Sequence, residues 1–235
     1  MTPENINRYA RHLVLKEIGG PGQQALLQAK VAIVGAGGLG GPAGLYLAAA
    51  GIGHVTLIDD DAVDVSNLQR QIQFSDRDVG APKTQALAQR LAGMNPDIRV
   101  TCEAERLDAG NAGRLLAGHD LVLDGTDSFE TRFLVNETAL DLEIALISGA
   151  IGRFDGQVSL FSSDGISPCY QCLVPVKPQG IESCSEIGVI GALAGVVGSM
   201  MALEAIKHIT GAGETLAGRL WVFDGLNGES RTVKL

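Results

Sequence analysis

Six residues, Gly35-Ala36-Gly37-Gly38-Leu39-Gly40, follow directly on the short apolar run Lys30-Val-Ala-Ile-Val34 and lead into a run of small residues over 42–50. The spacing is G-x-G-x-x-G between a strand and a helix, the context that gives this pattern its meaning. The first glycine allows a tight turn, the second lets a ligand approach the backbone, and the third lets helix pack on strand. The helix start that follows offers unpaired N–H groups and a partial positive charge to an anion. Asp59 ends the next strand, 19 residues after Gly40, where a carboxylate can accept hydrogen bonds from ribose hydroxyls. The pattern says nucleotide without saying which one.

The rest of the chain alternates in the same way. Strands are expected at 54–58, 98–102, 121–123 and 144–147, with helices over 42–50, 83–94 and 129–142. Such alternation means a parallel sheet with crossover helices. An N-terminal helix is expected from Pro3 to about Leu15, broken by Gly19 to Gly22. After Gly149 the pattern changes: strands at 157–161 and 219–223, a further one at 232–235, and a long helix over about 186–209 between them. The fold class is therefore α/β, a Rossmann-like, mostly parallel sheet continuing into a partly antiparallel C-terminal half. A 46% apolar content with 19% charged residues supplies a sizeable core over 235 residues and argues against disorder.

Net charge is −9, so a basic nucleic-acid-binding surface is not expected and any bound anion must be held by local groups. The N-terminus lacks a basic and then apolar run, which reads as a cytoplasmic protein. Residues 187–203 form an uncharged run of 17, short of a typical membrane span. Gly188, Gly191, Gly195 and Gly198 fall on one stripe of that run, which suits close backbone packing of a buried helix rather than a membrane helix.

Beyond Asp59 lies a polar cassette, Asp60-Asp61-Ala62-Val63-Asp64-Val65-Ser66-Asn67-Leu68-Gln69-Arg70-Gln71, then Gly80-Ala81-Pro82-Lys83. Asn67 and Arg70 are three apart, so both can face one ligand. Lys83 opens a helix, where a cation opposes the macrodipole, a local misplacement that marks functional sites. An NAD-dependent oxidoreductase would need a hydride-transfer site, and His12, His54, His119 and His208 share no motif that supplies one.

These motifs resemble the HesA/MoeB/ThiF family, bacterial relatives of the ubiquitin-activating enzymes. The resemblance is carried by the glycine loop, Asp59, Ser66-Asn67-Leu68-Gln69-Arg70-Gln71 and Pro82-Lys83. It continues through Arg8-Tyr9-Ala10-Arg11, Asp124-Gly125-Thr126-Asp127, Cys169-Tyr170-Gln171-Cys172 and Ala202-Leu203-Glu204-Ala205-Ile206-Lys207, in order along nearly the whole chain. It implies one adenylation domain over 1–235, with a nucleotide-binding half (1–150) and a carrier-binding and dimerisation half (151–235). The implied activity is adenylylation, with ATP and Mg2+, of the C-terminal Gly-Gly carboxylate of a ubiquitin-like sulfur-carrier protein, releasing pyrophosphate. By the same resemblance Asp59 would hold the ribose. Gly38, Ser66, Gln71 and Ser128 would lie at the nucleotide, and Asn67, Arg70 and Lys83 at the phosphates. Asp127 would hold magnesium, and Arg11 would reach in from the second subunit of a homodimer.

Two departures stand out. Ser128 replaces the asparagine usual after Asp-x-Thr-Asp. Family members also carry a second Cys-x-x-Cys that completes a four-sulfur Zn2+ site, whereas the sequence to Leu235 holds only Cys169 and Cys172 as such a pair. Zinc is therefore open: absent, or completed by ligands from elsewhere. Cys184 is either a thiol that joins the carrier covalently or an inert loop thiol, and Cys102, in an expected strand, reads as a small core residue. The motifs leave two rivals to the adenylyltransferase reading: the oxidoreductase, and a partner-binding domain without catalysis.

Overall fold

The computed structural model describes residues 1–163, 167–176 and 188–235. Eight strands form one sheet: β1 (Lys30–Val34), β2 (His54–Ile58), β3 (Arg99–Glu103), β4 (Leu121–Asp124), β5 (Ala145–Gly152), β6 (Asp155–Phe161), β7 (Arg219–Asp224) and β8 (Glu229–Lys234). Their spatial order is β3-β2-β1-β4-β5-β6-β7-β8. The first five pair in parallel and the last three are added antiparallel, as the sequence leads one to expect.

The central strands β1 and β4 are buried on both faces because both are covered. Val31 and Ile33 of β1 face a core built with helices α4 (Gly40–Ala50), α5 (Lys83–Met94) and the long α9 (Gly191–Thr210). Ala32 and Val34 face a second core with α6 (Ala112–Leu116), α7 (Phe129–Asp141) and α8 (Tyr170–Leu173). β1 lies between β2 and β4, so the chain leaves it toward opposite edges, and a crevice opens at the carboxyl ends of β1 and β4.

Three details differ from the expected elements. The N-terminal helix is two short pieces, α1 (Pro3–Arg8) and α2 (Ala10–Leu13), interrupted at Tyr9. Tyr9 is only 3% exposed, and its hydroxyl accepts a bond from Asn95 Nδ2 at 2.8 Å, so the break turns this ring inward. The glycines after it do not end helical structure but begin α3 (Gly19–Gln28). Pro21 is tolerated there because the first turn's N–H groups have no intrahelical partner anyway. Cys102, expected in the core, is exposed, because β3 is the edge strand of the sheet.

Helix α9 is long and apolar enough, by length and composition, to cross a membrane. Its Leu193, Ala194, Val197, Met201, Ala202 and Ala205 are nevertheless buried in the first core. Glu204 is fully buried on it, accepting bonds from the Leu216 amide at 2.6 Å and from Lys207. Two of the four stripe glycines explain the close fit. A Cβ on Gly191 would lie 2.1 Å from the Gln69 carbonyl oxygen, and one on Gly198 2.6 Å from that of Leu39. Gly195 faces open space, and Gly188 precedes the helix.

Candidate active site

The crevice is a cleft of ≈ 360 Å³. The carboxyl ends of three parallel strands feed it: Val34 and Gly35 after β1, Ile58 to Asp61 after β2, and Gly125 to Ser128 after β4. Gly35 takes φ +88°, a left-handed turn that favours glycine. A Cβ on Gly40 would sit 1.9 Å from the Gly35 carbonyl oxygen, so only glycine lets α4 start this close to the strand.

The expected residues mostly converge here. Gly38, Asp59, Asn67, Arg70, Gln71, Lys83, Asp127 and Ser128 all line the cleft. Asp59 accepts the Ala36 amide at 2.7 Å and the Asp61 amide at 2.8 Å, which ties the glycine loop to the end of β2. Burial pushes the Asp59 carboxyl above its ordinary value, while the charge of Lys83 and the two amides pull it down. Lys83 is itself buried, and its Nζ donates to Asp61 Oδ2 at 2.6 Å. Its place at a helix start is thus offset by two carboxylates opposite it.

Residues 65–67 form a single 3₁₀ turn capped by Asp64, which receives the Ser66 amide at 2.8 Å. Asn67 uses its Oδ1 to accept the Asp64 amide, so its NH₂ remains for the cleft. Arg70 donates to the Ser66 carbonyl at 3.1 Å and pairs with no carboxylate among the described residues. Ser66 itself points elsewhere: it is exposed and does not line the cleft. Gln71 is buried at the wall, and its Oε1 has no hydrogen-bond partner among the described residues, an orphan of the kind a bound ligand satisfies. Ser128 is the N-cap of α7, accepting the Thr131 amide.

Arg11 does not line this cleft and is exposed. The backbone around it is held on both sides: by buried Tyr9, and by His12, whose Nδ1 lies 2.9 Å from Gln23 Oε1. Gln23 Nε2 donates to the Ala50 carbonyl at 2.9 Å, so its Oε1 accepts and His12 Nδ1 carries the proton.

Sequence reasoning overlooked several residues in the cleft or just behind it. Arg132 is a buried arginine on α7, in register with buried Val135 and Ala139. An arginine on an apolar stripe is a readable signal of a buried polar role. Gln73, 3% exposed, donates through Nε2 to the carbonyls of Ala36 and Gly37 at 3.0 and 2.9 Å, drawing these oxygens away from an anion. Glu105, Arg106 and Leu107 close the cleft beyond β3.

Cys169 and Cys172 lie at the start of α8 with their sulfurs 3.6 Å apart. Burial pushes the Cys169 thiol up, but hydrogen bonds involving Cys172, Gln171 and Asn136 outweigh it and leave the thiol below its ordinary value. Among the described residues, the group of three or more potential ligands is Asp59, Asp60 and Asp61, not a sulfur set. The described residues thus supply two zinc ligands where a structural site needs four, and zinc enters no step below. Cys184 lies outside the described residues. Burial and then Glu103 push the Cys102 thiol up, toward the unreactive form.

Comparison with known proteins agrees with this architecture. The chain is 45% identical over 238 residues to a sulfur carrier protein adenylyltransferase of Thermus thermophilus, covering 99% of this chain and 88% of that protein. It is 44% identical over 230 residues to the SAMP-activating enzyme E1 of Haloferax volcanii, covering 97% and 84%. A probable adenylyltransferase/sulfurtransferase MoeZ of Mycobacterium tuberculosis is 45% identical over 240 residues, and the chain spans 61% of its length. A crystal structure of E. coli MccB superposes with a TM-score of 0.85 at 24% identity, covering 100% of this chain and 70% of that one, which is a likeness of fold. With the ThiF family pattern matching residues 9–235 around a glycine loop, cation set and aspartate gathered in one crevice, the chain belongs to the ThiF family.

Proposed function

We propose that the protein is an ATP-dependent adenylyltransferase that activates the C-terminal carboxylate of a ubiquitin-like sulfur-carrier protein as an acyl-adenylate, with release of pyrophosphate. One observation carries the chemistry: the glycine loop, Arg70, Lys83 and Asp127 line a single cleft at the switch point of the sheet. The names of the Thermus and Haloferax relatives support the substrate class.

The nucleophile is a carboxylate with a free pKa of about 3.5, ionised near neutral pH, so no general base is required. The obstacle is bringing this anion to the α-phosphate of a polyanion, which fixed positive groups must offset in a site of low dielectric. The loop amides and the start of α4 cradle the phosphates, with Gln73 holding the neighbouring carbonyls back. Lys83, fixed by Asp61, and Arg70, fixed by the Ser66 carbonyl, meet the negative charge of the triphosphate, with Asn67 beside them. Asp59 takes the ribose hydroxyls, and Gln71 offers its unpaired Oε1. Magnesium fits the donor set, an exposed carboxylate beside the phosphate cradle, and Asp127 would hold it. When bound, it would screen the charge that develops on the departing pyrophosphate.

Arg11 is assigned to the cleft of a second subunit. Its exposure, its absence from the lining of its own cleft and the anchoring of its backbone support this reading. Incubation with candidate carriers, ATP, Mg2+ and labelled pyrophosphate tests the function. Carrier-dependent exchange of label into ATP is expected with one of them. Protein that is stabilised against heat by ATP and Mg2+, yet exchanges with no carrier ending in Gly-Gly, would refute it. Stabilisation by NAD instead would point to an oxidoreductase.

A further inference from the structure

Asp127 is exposed and pairs with no cation among the described residues, so its position depends on the backbone that carries it. The residue before it is gripped from the protein interior. Asp124 Oδ1 accepts both the Thr126 amide at 3.0 Å and the Thr126 hydroxyl at 2.7 Å. The Thr126 carbonyl accepts a bond from Arg132. All three polar groups of Thr126 are therefore engaged on one side, which leaves the following carboxylate turned to the cleft.

Arg132 is placed to do this and little else. It is 7% exposed on α7 and lines the inner wall of the cleft. Its charge acts on Asp124, which is fully buried and whose Oδ2 has no hydrogen-bond partner in the structure. Behind it stands Tyr170, whose phenol interacts with the guanidinium. Tyr170 is fixed in turn: its amide donates to Asn136 Oδ1 at 2.9 Å, and its ring meets Phe133 and Phe161 edge-on at 5.6 and 5.9 Å. Asn136 lies one helical turn beyond Arg132, so one face of α7 holds both the loop in front and the aromatic wall behind. The loop has no slack toward the other side, since a Cβ on Gly125 would sit 2.9 Å from the Gly40 amide nitrogen.

We propose that Arg132 is a positioning residue for the magnesium-bearing loop, holding the Thr126 carbonyl so that the Asp127 carboxylate is aimed at the nucleotide phosphates. The inference rests on the adenylylation reading and adds to it a residue that acts through another. It separates Arg132 from Arg70 and Lys83: those two meet the nucleotide with or without metal, whereas Arg132 matters only to the part of nucleotide affinity that magnesium confers.

The test is calorimetric titration of the full chain with ATP, without carrier, once with Mg2+ and once with EDTA. Wild type binds more tightly with Mg2+, and Asp127→Asn removes that gain. Arg132→Lys keeps the buried charge but loses the planar fork, and is expected to lower the Mg2+-assisted affinity about tenfold, in the range for groups that orient metal ligands. Its affinity in EDTA stays within about twofold of wild type, a split that general loosening of the fold would not give. The Asp124→Asn/Arg132→Met pair, which removes both buried charges together, shows the same selective loss should the lysine variant prove unstable. A gain that Asp127→Asn abolishes and both Arg132 variants retain overturns the role of Arg132 alone. Equal losses with and without Mg2+ would mean that Arg132 supports nucleotide binding as a whole, and also overturn it. Absence of any Mg2+ gain in wild type overturns this role together with the metal assignment of Asp127.

Discussion

Lys83 shows how one residue acquires a task that its local position argues against. At the start of α5 it opposes the helix dipole, yet it is buried and bonded to Asp61, with the raised Asp59 carboxyl close enough to feel its charge. Replacing it leaves a desolvated carboxylate without its cation and, on the proposed reading, the triphosphate without one of its fixed charges. Lys83→Met and Arg70→Ala are each expected to lower pyrophosphate exchange by about 10²–10³-fold, with carrier binding retained. Exchange rates beside a carrier pull-down check this, and full exchange in both variants would sink the phosphate assignments. His54 makes the opposite case of a residue that matters to stability alone. Burial first, then the charges of Arg99, His119 and Lys30, depress its pKa. A base with a depressed folded pKa contributes stability that is complete above the unfolded value of about 6.5 and lost as pH falls through the folded value. Thermal unfolding between pH 7.5 and 5 should therefore show a melting temperature that falls on acidification. His54→Gln should make that fall shallower, and an unchanged slope would count against it.

Glycine does its structural work at the level of whole elements. Helix α9 approaches α4 and the polar cassette through Gly198 and Gly191, where added methyl groups would strike the Leu39 and Gln69 carbonyls. Leu39 belongs to the glycine loop and Arg70 follows Gln69, so this helix is a back wall for that side of the cleft. Gly198→Ala is expected to cost about 2–3 kcal/mol through overpacking and to weaken ATP binding as the loop moves. Gly195→Ala on the same helix meets nothing and should stabilise by about 0.5–1 kcal/mol through helix propensity. Urea unfolding of the two variants separates them, and a Gly198→Ala variant as stable as Gly195→Ala would mean that Gly198 is not a close contact. The stripe was readable because glycine spacing at 3.6 residues per turn is a local pattern. What was not readable is instructive. Tyr9 breaks a helix because of Asn95, 86 residues away, and Cys102 is exposed because β3 has no outer neighbour. Gln73 was overlooked because its partners are backbone carbonyls, which leave no mark in a side-chain motif, and Arg132 because its partners, the Thr126 carbonyl, Asp124 and Tyr170, are brought to it by the fold. Most residues singled out by motif line the cleft, while those whose partners are supplied by the fold around it did not stand out.

At the scale of the whole molecule, the cleft and Arg11 do not belong to the same place. The cleft opens at the carboxyl ends of β1, β2 and β4, whereas Arg11 lies on α2, between Tyr9 docked on Asn95 and His12 docked on Gln23. These two anchors, on either side of Arg11, fix a backbone whose arginine faces solvent. On the proposed reading Arg11 completes the cleft of another copy, and a twofold pair would do so reciprocally. Arg11→Ala and Lys83→Met should each be nearly inactive alone, the first lacking the arriving cation and the second the resident one. Mixed, unfolded together and refolded, they form hybrids in half of the pairs, and each hybrid holds one cleft with both residues intact. About a quarter of wild-type exchange activity should then return, the ratio that random pairing dictates. Mixing without subunit exchange should return none, which excludes contamination by wild type. If the refolded mixture stays at the level of the two variants while wild type refolds fully, Arg11 acts within its own chain or not at all.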